Sequence, residues 1–254
     1  MNNDDDITNW FDLFDNSLNK NCQLKHSKNI NISLIDKKNY LPFSEILEIN
    51  QVNKSDNISN NQSIVCLLDN RTELYSILES SHISHLSIYF PLTQEKYLLM
   101  CTRVILSNTY VESYNILYNN IFTKEDGFIK YYKDLNSLSL DKQNKLNKYW
   151  KLLTNEDKLK YESLQPGTLK SENLKEDDLT RYEAQEEIQY NPNFSMIHFI
   201  PLDIDYTKFP APQVVANSRK PEFESIYKPT KKTKRSYYKL DLNSYKWIVK
   251  ELNP

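Results

Sequence analysis

The chain has 254 residues, carries 32 Lys and Arg against 34 Asp and Glu, and contains only 2 glycines. So little glycine excludes Rossmann dehydrogenases, P-loop NTPases and protein kinases, because their phosphate-binding loops need several glycines close together. The nearly balanced charge argues against a dedicated nucleic-acid-binding protein, which is typically strongly basic. We therefore expect no nucleic-acid partner, and the length permits a full hydrophobic core.

The first predicted element is an amphipathic helix over residues 7–19. Its apolar residues recur at helical spacing: Ile7, Trp10, Phe11, Phe14 and Leu18. The acidic segment before it has neither an apolar signal core nor an arginine-rich start. No apolar run reaches the roughly 20 residues that a membrane span needs. We therefore expect a cytoplasmic protein without a membrane partner, and a nuclear location stays open.

Short strands dominate the next part of the chain. Five are predicted from apolar or alternating runs, at residues 30–35, 43–49, 64–68, 86–91 and 96–101, the last continuing to near Leu106. Residues 52–62 are polar and are predicted to form a loop. The third strand runs into Asp69-Asn70-Arg71-Thr72 and then into a short helix over residues 73–79.

The turn between that strand and helix has the composition of an anion site. A helix start offers backbone N–H groups, Arg71 offers a guanidinium and Thr72 offers a hydroxyl. Together these groups can hold a phosphate. Arg71 and Thr72 are therefore the candidate phosphate ligands.

The second half of the chain is predicted to be helical first and then β-rich. Residues 110–169 carry helical patterns, with an apolar stripe at Leu146, Tyr149, Trp150 and Leu153 and a second helix over 155–164. Residues 170–191 are highly charged and are predicted to form a solvated connection. A strand at 194–201 follows, and residues 203–209 lead into a proline-containing loop. A hairpin over 236–240 and 245–251 closes the chain.

Three other patterns have ordinary structural interpretations. His82 and His85 have the spacing of two zinc ligands on a helix, but no third ligand accompanies them, so we expect no metal site. The cysteines show no CxxC spacing and are expected to be reduced. Asp203 and Asp205 are predicted to form a turn at a strand exit, and residues 231–235 a solvated basic loop.

Several landmarks occur in one order along the chain: Trp10, residues 69–72, Tyr89-Phe90-Pro91, residues 150–154, Pro166-Gly167, residues 199–206, and Trp247 followed by Asn253-Pro254. This ordered set resembles the FMN-binding split-barrel family of pyridoxamine 5'-phosphate oxidase-like proteins, in its fungal and bacterial subgroup. The resemblance implies an α+β fold, a split β-barrel with flanking helices. It covers most of residues 1–254 as a single domain, with an insertion at residues 107–140.

The resemblance also implies a function. A family member binds FMN, here through Arg71 and Thr72, in a cleft between the two subunits of a homodimer. It can act as a flavin-dependent oxidoreductase on a small phosphorylated substrate such as pyridoxamine or pyridoxine 5'-phosphate. The pattern identifies no catalytic acid or base.

Four positions depart from the family pattern. The resemblance places Glu45, Asn50, Leu74 and Leu98 where relatives carry basic residues near the cofactor. A carboxylate among phosphate ligands repels the cofactor. The alternative hypothesis is therefore a family descendant that has lost flavin and serves as a binding or scaffolding protein.

Overall fold

The computed structural model describes residues 9–53, 62–107, 142–162, 190–210, 232–242, 244 and 246–254. These residues form, in chain order, α1 (Trp10–Asn21), β1 (Asn29–Asp36), β2 (Leu41–Asn53), β3 (Ser63–Asp69), α2 (Glu73–Ser80), β4 (Ser84–Phe90), β5 (Glu95–Ser107), α3 (Lys142–Leu152), α4 (Asn155–Glu162), β6 (Phe194–Lys208), β7 (Lys234–Asp241) and β8 (Lys246–Leu252). The predicted insertion and the predicted charged connection lie outside the described residues, apart from Ser107, Tyr190 and Asn191 at their ends.

Six strands close into an antiparallel barrel in the order β3-β2-β1-β4-β5-β6, because β6 also pairs with β3. The remaining two strands, β7 and β8, extend the sheet from β6. Helices flank the barrel, so the predicted α+β split-barrel fold is confirmed. Among the described helices, none is both long enough and apolar enough to cross a membrane.

The split in the barrel is made along β6. The first half of this strand pairs with β3 and the second half pairs with β7, while β5 pairs along both halves. Pro201 lies at the change of partner, opposite Cys101, where the register of β5 also shifts. Proline has no N–H to donate to a ladder, so it is tolerated at such an irregularity.

One hydrophobic cluster fills the barrel interior and the space under α1. Trp10 and Phe14 are fully buried on the apolar face of α1. The Phe14 ring packs edge-on against Phe90 and Tyr97, and Trp10 packs edge-on against Trp247. Such contacts contribute beyond burial of area alone. The apolar stripe that predicted this helix is therefore the surface that seals the barrel.

A second cluster lies outside the barrel under α3 and α4. The rings of Trp150, Tyr161 and Phe194 pack edge-on, with centroids 5.2 to 5.8 Å apart. Because these helices cover the outer face, β5 is buried on both faces from Cys101 to Ser107. The strand therefore loses its alternating pattern there.

Two predicted elements need correction. Residues 203–208 belong to β6 and do not lead into a loop or form a turn, because they pair with both β5 and β7. The predicted loop at 52–62 begins later, since β2 continues to Asn53 and pairs there with Ser63. Residues 54–61 lie outside the described chain. Polar side chains in both strand segments hid them in the sequence pattern.

Candidate functional site

The predicted phosphate turn lies where expected, between the end of β3 and the start of α2. Its guanidinium is bound within the turn. Arg71 Nε donates to Asp69 Oδ1 at 2.9 Å, and Arg71 Nη2 donates to Asp69 Oδ2 at 2.5 Å. The same Nη2 donates to the carbonyl oxygen of Tyr161 in α4 at 3.0 Å. The hydrogen bond with Asp69 raises the pKa of Arg71, although burial opposes this effect.

The Thr72 hydroxyl also has partners inside the protein. It donates to the carbonyl oxygen of Asp69 at 2.8 Å and accepts from the Tyr75 N–H at 3.3 Å. Thr72 is therefore the N-cap of α2, a role that threonine commonly has. The structure brings Arg71 and Thr72 together, and both are held by intramolecular hydrogen bonds.

One carboxylate on β2 is influenced by the charge at the start of α2. Glu45 lies on β2 before the segment that pairs with β3, opposite Ile32 of β1. Burial and the charge of Glu73, the first residue of α2, both raise the pKa of Glu45. The carboxylates of Glu45 and Glu73 therefore repel each other near the start of the helix.

The other departures from the family pattern are dispersed. Asn50 uses its Oδ1 to accept the Leu67 N–H at 2.9 Å. Leu74 is fully buried in the barrel core. Leu98 lies on the outer face of β5, opposite Asp205 and three strands from β2. None of these three side chains supplies a positive charge to the turn.

The residues around the turn do not fit the phosphate of FMN. A phosphate monoester carries nearly two negative charges at neutral pH and is usually retained by several charge-assisted hydrogen bonds. Here the Arg71 guanidinium is bound to Asp69, and Glu45 and Glu73 add negative charge. The side chains around the turn therefore have a net negative charge, whereas a phosphate-binding site needs a positive one.

A separate open groove of about 660 Å³ lies at the outer end of the β4–β5 hairpin. It is lined by Tyr89, Gln94, Lys96, Phe209, Pro210 and Thr233. The rings of Tyr89 and Phe209 meet edge-on, with centroids 6.3 Å apart. The volume falls in the usual range for small-molecule sites.

Hydrogen bonds hold one wall of the groove. Tyr89 OH donates to Gln94 Oε1 at 2.9 Å, and Gln94 Nε2 donates to the Pro91 carbonyl oxygen at 2.6 Å. Gln94 has a positive φ of 56°, which is uncommon outside glycine. The hairpin therefore presents Tyr89 in a defined position, with Lys96 supplying positive charge beside it.

An ion pair lies next to the groove on the same sheet face. Lys96 pairs with Thr207, and Thr207 pairs with Arg235 on the next strand. Arg235 Nε donates to Asp205 Oδ1 at 3.0 Å, and Arg235 Nη2 donates to Asp205 Oδ2 at 2.6 Å. Arg235 therefore belongs to β7 and not to the basic loop predicted at residues 231–235. Asp205, predicted to form a turn, instead anchors this arginine.

The sequence pattern missed the groove because its residues come from β4, β5, the turn between them, and the residues just after β6 and just before β7. The one sequence signal for it was the alternation of buried and exposed residues in β4 and β5. This alternation places Tyr89 and Lys96, which are paired, on the same outer face of the sheet. The histidine pattern does not form a helix, since His85 lies in β4. Within the described parts of the chain, no group of three or more His, Cys, Asp or Glu residues could hold a metal.

Comparison with known proteins identifies the architecture by structure and not by sequence. No protein-family profile matches the chain, and no curated protein matches it in sequence. A pyridoxamine 5'-phosphate oxidase-related, FMN-binding protein from Nostoc punctiforme superposes with a TM-score of 0.63 at 14% identity, covering 96% of this chain and 97% of its own. PhzG from Burkholderia lata, in complex with tetrahydrophenazine-1-carboxylic acid, superposes with a TM-score of 0.58 at 10% identity. The match covers 99% of this chain and 95% of PhzG. The chain therefore has the split-barrel fold of the pyridoxamine 5'-phosphate oxidase-related, FMN-binding proteins.

Proposed function

We propose that this chain is a binding protein for a flat, aromatic, anionic small molecule, which it holds in the groove between Tyr89 and Phe209. The observation that carries this proposal is the composition of the groove. Two aromatic rings provide apolar walls, and Lys96 and Thr233 provide a positive charge and a hydroxyl. Apolar walls with a few placed polar groups are typical of small-molecule sites.

The structural neighbours support this ligand class. The Nostoc protein is described as FMN-binding, and PhzG was crystallised with a carboxylic acid on a fused ring system. Both ligands are flat ring systems with an acidic group. A groove with aromatic edges and one lysine is suited to the same class of compound.

Titration with two probes tests the proposal. FMN and phenazine-1-carboxylic acid, which are both flat and anionic, are added to the purified protein, and binding is followed by quenching of ligand or protein fluorescence. We expect Tyr89→Ala and Phe209→Ala each to weaken binding about tenfold, since loss of an aromatic contact costs on the order of 1 kcal/mol or more. Leu92→Ala is the control, because Leu92 is exposed on the same hairpin but does not line the groove. Unchanged affinity in both aromatic variants would contradict the proposal.

A second candidate is a flavin-dependent oxidoreductase that binds FMN and acts on pyridoxamine or pyridoxine 5'-phosphate. The structural likeness to an FMN-binding protein favours it, whereas the pairing of Arg71 with Asp69 opposes a phosphate at the turn. Bound oxidised flavin absorbs at about 375 and about 450 nm through the cofactor itself. In that case Arg71→Ala weakens FMN binding by about 1.5–3 kcal/mol, the value of a charge-assisted bond. A colourless protein that ignores added FMN rejects this candidate.

We further propose a cytoplasmic homodimer. The end of the β1–β2 hairpin exposes neighbouring apolar side chains, with Ile35 at 57%, Tyr40 at 81% and Leu41 at 61% exposed. An exposed apolar face is typical of an interface between copies. Light scattering at micromolar concentration is expected to give twice the chain mass of 30.2 kDa. A clean monomer mass would reject the dimer.

A further inference from the structure

β8 forms one edge of the sheet, and among the described residues no strand pairs with its outer side. The strand pairs with β7 along its whole length, from Lys246 to Leu252. It is the last strand in the order of the sheet. In such an edge strand alternate backbone N–H and C=O groups point away from the neighbouring strand, where they can pair with another chain. The edge of β8 can therefore accept one more strand.

The inner face of β8 holds the strand in place. The Trp247 ring packs edge-on against the buried Trp10 ring of α1, with centroids 5.6 Å apart. Val249, two residues further along the same face, packs against the barrel core. Neither a proline nor a register shift interrupts the strand. Because the edge is preformed, a partner strand binds it at a lower entropy cost than it would bind a mobile segment.

The outer face of β8 alternates between cations and aliphatic residues. Lys246, Ile248, Lys250 and Leu252 share this face, because successive side chains alternate along a strand. Ile248 is 48% and Leu252 is 37% exposed, and both lysines are exposed. Lys239 of β7, the register partner of Ile248, is also exposed. A strand that adds here therefore meets charged and apolar positions in a fixed order.

The charge on this face is mainly positive. Within the described parts of the chain, the side chains of Lys239, Lys246 and Lys250 make no ion pair or hydrogen bond. Asp241, the register partner of Lys246, accepts a hydrogen bond from Ser244 Oγ at 2.6 Å. A second copy of β8 would bring the same lysines to the edge, and like charges oppose such pairing. Charge complementarity therefore favours an acidic partner over another copy of this chain.

From these features we propose that the edge of β8 binds an acidic peptide in extended conformation, which adds to the sheet as an antiparallel strand. Its carboxylates lie opposite Lys246 and Lys250, and its apolar residues lie opposite Ile248 and Leu252. In this mode of recognition the backbone hydrogen bonds supply affinity, and alternate side chains supply specificity. None of these residues lines the groove, so the inference does not depend on the proposed function.

A synthetic peptide with this pattern tests the inference. Val-Thr-Glu-Thr-Val-Thr-Glu, blocked at both ends, is titrated into ¹⁵N-labelled protein at low salt and followed by NMR. We expect saturable shifts concentrated in the amides of β7 and β8. Val-Thr-Glu-Thr-Val-Glu-Thr has the same composition but places its carboxylates on opposite faces of a strand, and Val-Thr-Glu-Pro-Val-Thr-Glu disrupts the strand itself. Both control peptides should bind at least about fivefold more weakly.

Charge reversal in the protein provides the matched variants. In Lys246→Glu/Lys250→Glu we expect the acidic peptide to lose binding and Val-Thr-Lys-Thr-Val-Thr-Lys to gain it, because the cross-strand charges are exchanged. Lys20→Glu/Lys25→Glu changes the net charge equally at positions outside the sheet and should retain the natural preference. Circular dichroism checks the fold of each variant. A control that also exchanges its preference would attribute the effect to overall charge, and the inference would then be wrong.

Three other results would overturn the inference. They are no saturable binding of the acidic peptide by the natural protein, equal binding of the proline-containing peptide, and shifts confined to residues outside β7 and β8. Shifts at β8 that depend on protein concentration without any peptide would show that a second copy occupies the edge. That result would also overturn the inference.

Discussion

Lys208 and Glu95 are register partners across β6 and β5, and Lys208 Nζ donates to Glu95 Oε1 at 2.9 Å. The Glu95 carboxylate is buried at the edge of the barrel core, where Tyr206 OH donates to the same oxygen at 2.9 Å. Ser17 Oγ donates to its other oxygen from α1. One ionised side chain therefore links the first helix to β5 and β6.

This network predicts a loss of stability in acid. Burial raises the pKa of Glu95, but hydrogen bonds from Ser17, Lys208, Thr93 and Tyr206 outweigh it, so the pKa is lowered from 4.5. Because the carboxyl pKa is lower in the folded protein than in the unfolded chain, ionised Glu95 stabilises the fold at pH values above the unfolded-chain pKa. This contribution is lost as pH falls below about 4.5.

Urea unfolding at pH 7 and at decreasing pH below 4.5 measures this contribution. We expect Glu95→Gln to be less stable at pH 7 by about 2 kcal/mol, the usual value of bonds to a charged group, and to lose less stability in acid than the natural protein. An equal acid response in the two proteins would show that Glu95 is not the responsible group.

His198 predicts a second pH effect, in a higher range. Its Nδ1 lies 3.1 Å from Ser63 Oγ, and the ring is 3% exposed. Burial, with the charge of Lys145, lowers its pKa from 6.5 to about 4. The unfolded chain therefore binds more protons between these values, and stability falls as pH decreases from 6.5 to 4.

The size of this effect follows from the shift. From pH 7 to pH 5 we expect His198 to account for a loss of about 2 kcal/mol, measured from urea midpoints. Ser63→Ala/His198→Leu removes the ring together with its hydroxyl partner and should reduce this slope, leaving the part due to His82, whose pKa burial also lowers to about 4. His85→Gln, on the exposed face of β4, is the control and should retain the natural slope. An unchanged slope in the double variant would contradict the assignment.

Arg103 predicts a large loss of stability on truncation. This arginine is fully buried on β5 and donates to the carbonyl oxygens at the C-terminal end of α2. Nε donates to Leu78 and, at 3.0 Å, to Ser81, and Nη2 donates to Glu79 at 2.9 Å. Removing the side chain leaves buried acceptors without donors, so Arg103→Met should cost about 3 kcal/mol.

Arg235→Met is the matched control for this variant. Arg235 makes an ion pair with Asp205 near the surface of the sheet, where solvent screens the charges. Its truncation should therefore change the urea midpoint much less than that of Arg103. Similar midpoints for the two variants would contradict a capping role for Arg103.

The thiols predict selective chemical labelling. Cys66 and Cys101 are buried on β3 and β5, and Cys22 is exposed after α1. Burial raises the pKa of both buried thiols, which suppresses the reactive thiolate. Titration with a disulfide reagent should detect one of the 3 thiols in the folded protein and all 3 in denaturant. Cys22→Ser should abolish the fast reaction, and a remaining fast phase would show that a buried thiol is accessible.

The apolar pattern predicted the strands and the first helix because burial in the barrel repeats with local geometry. Trp10 and Phe14 lie on one face of α1, and the strand before Asp69 is buried almost throughout. The pattern failed at Asp203 and Asp205, where polar residues continue β6. Their pairing with two neighbouring strands, and not their own propensity, makes that segment a strand.

The sequence by itself determined the order of elements, the free state of the cysteines and the presence of a turn with the groups of an anion site. Only the tertiary structure decided what those groups do. Arg71 looks available in the sequence, but Asp69 and the Tyr161 carbonyl oxygen bind it. The groove, likewise, exists only because register brings Tyr89 and Phe209 together. Local patterns fix backbone conformation, whereas charge balance and cavities depend on long-range contacts that a single sequence does not encode locally.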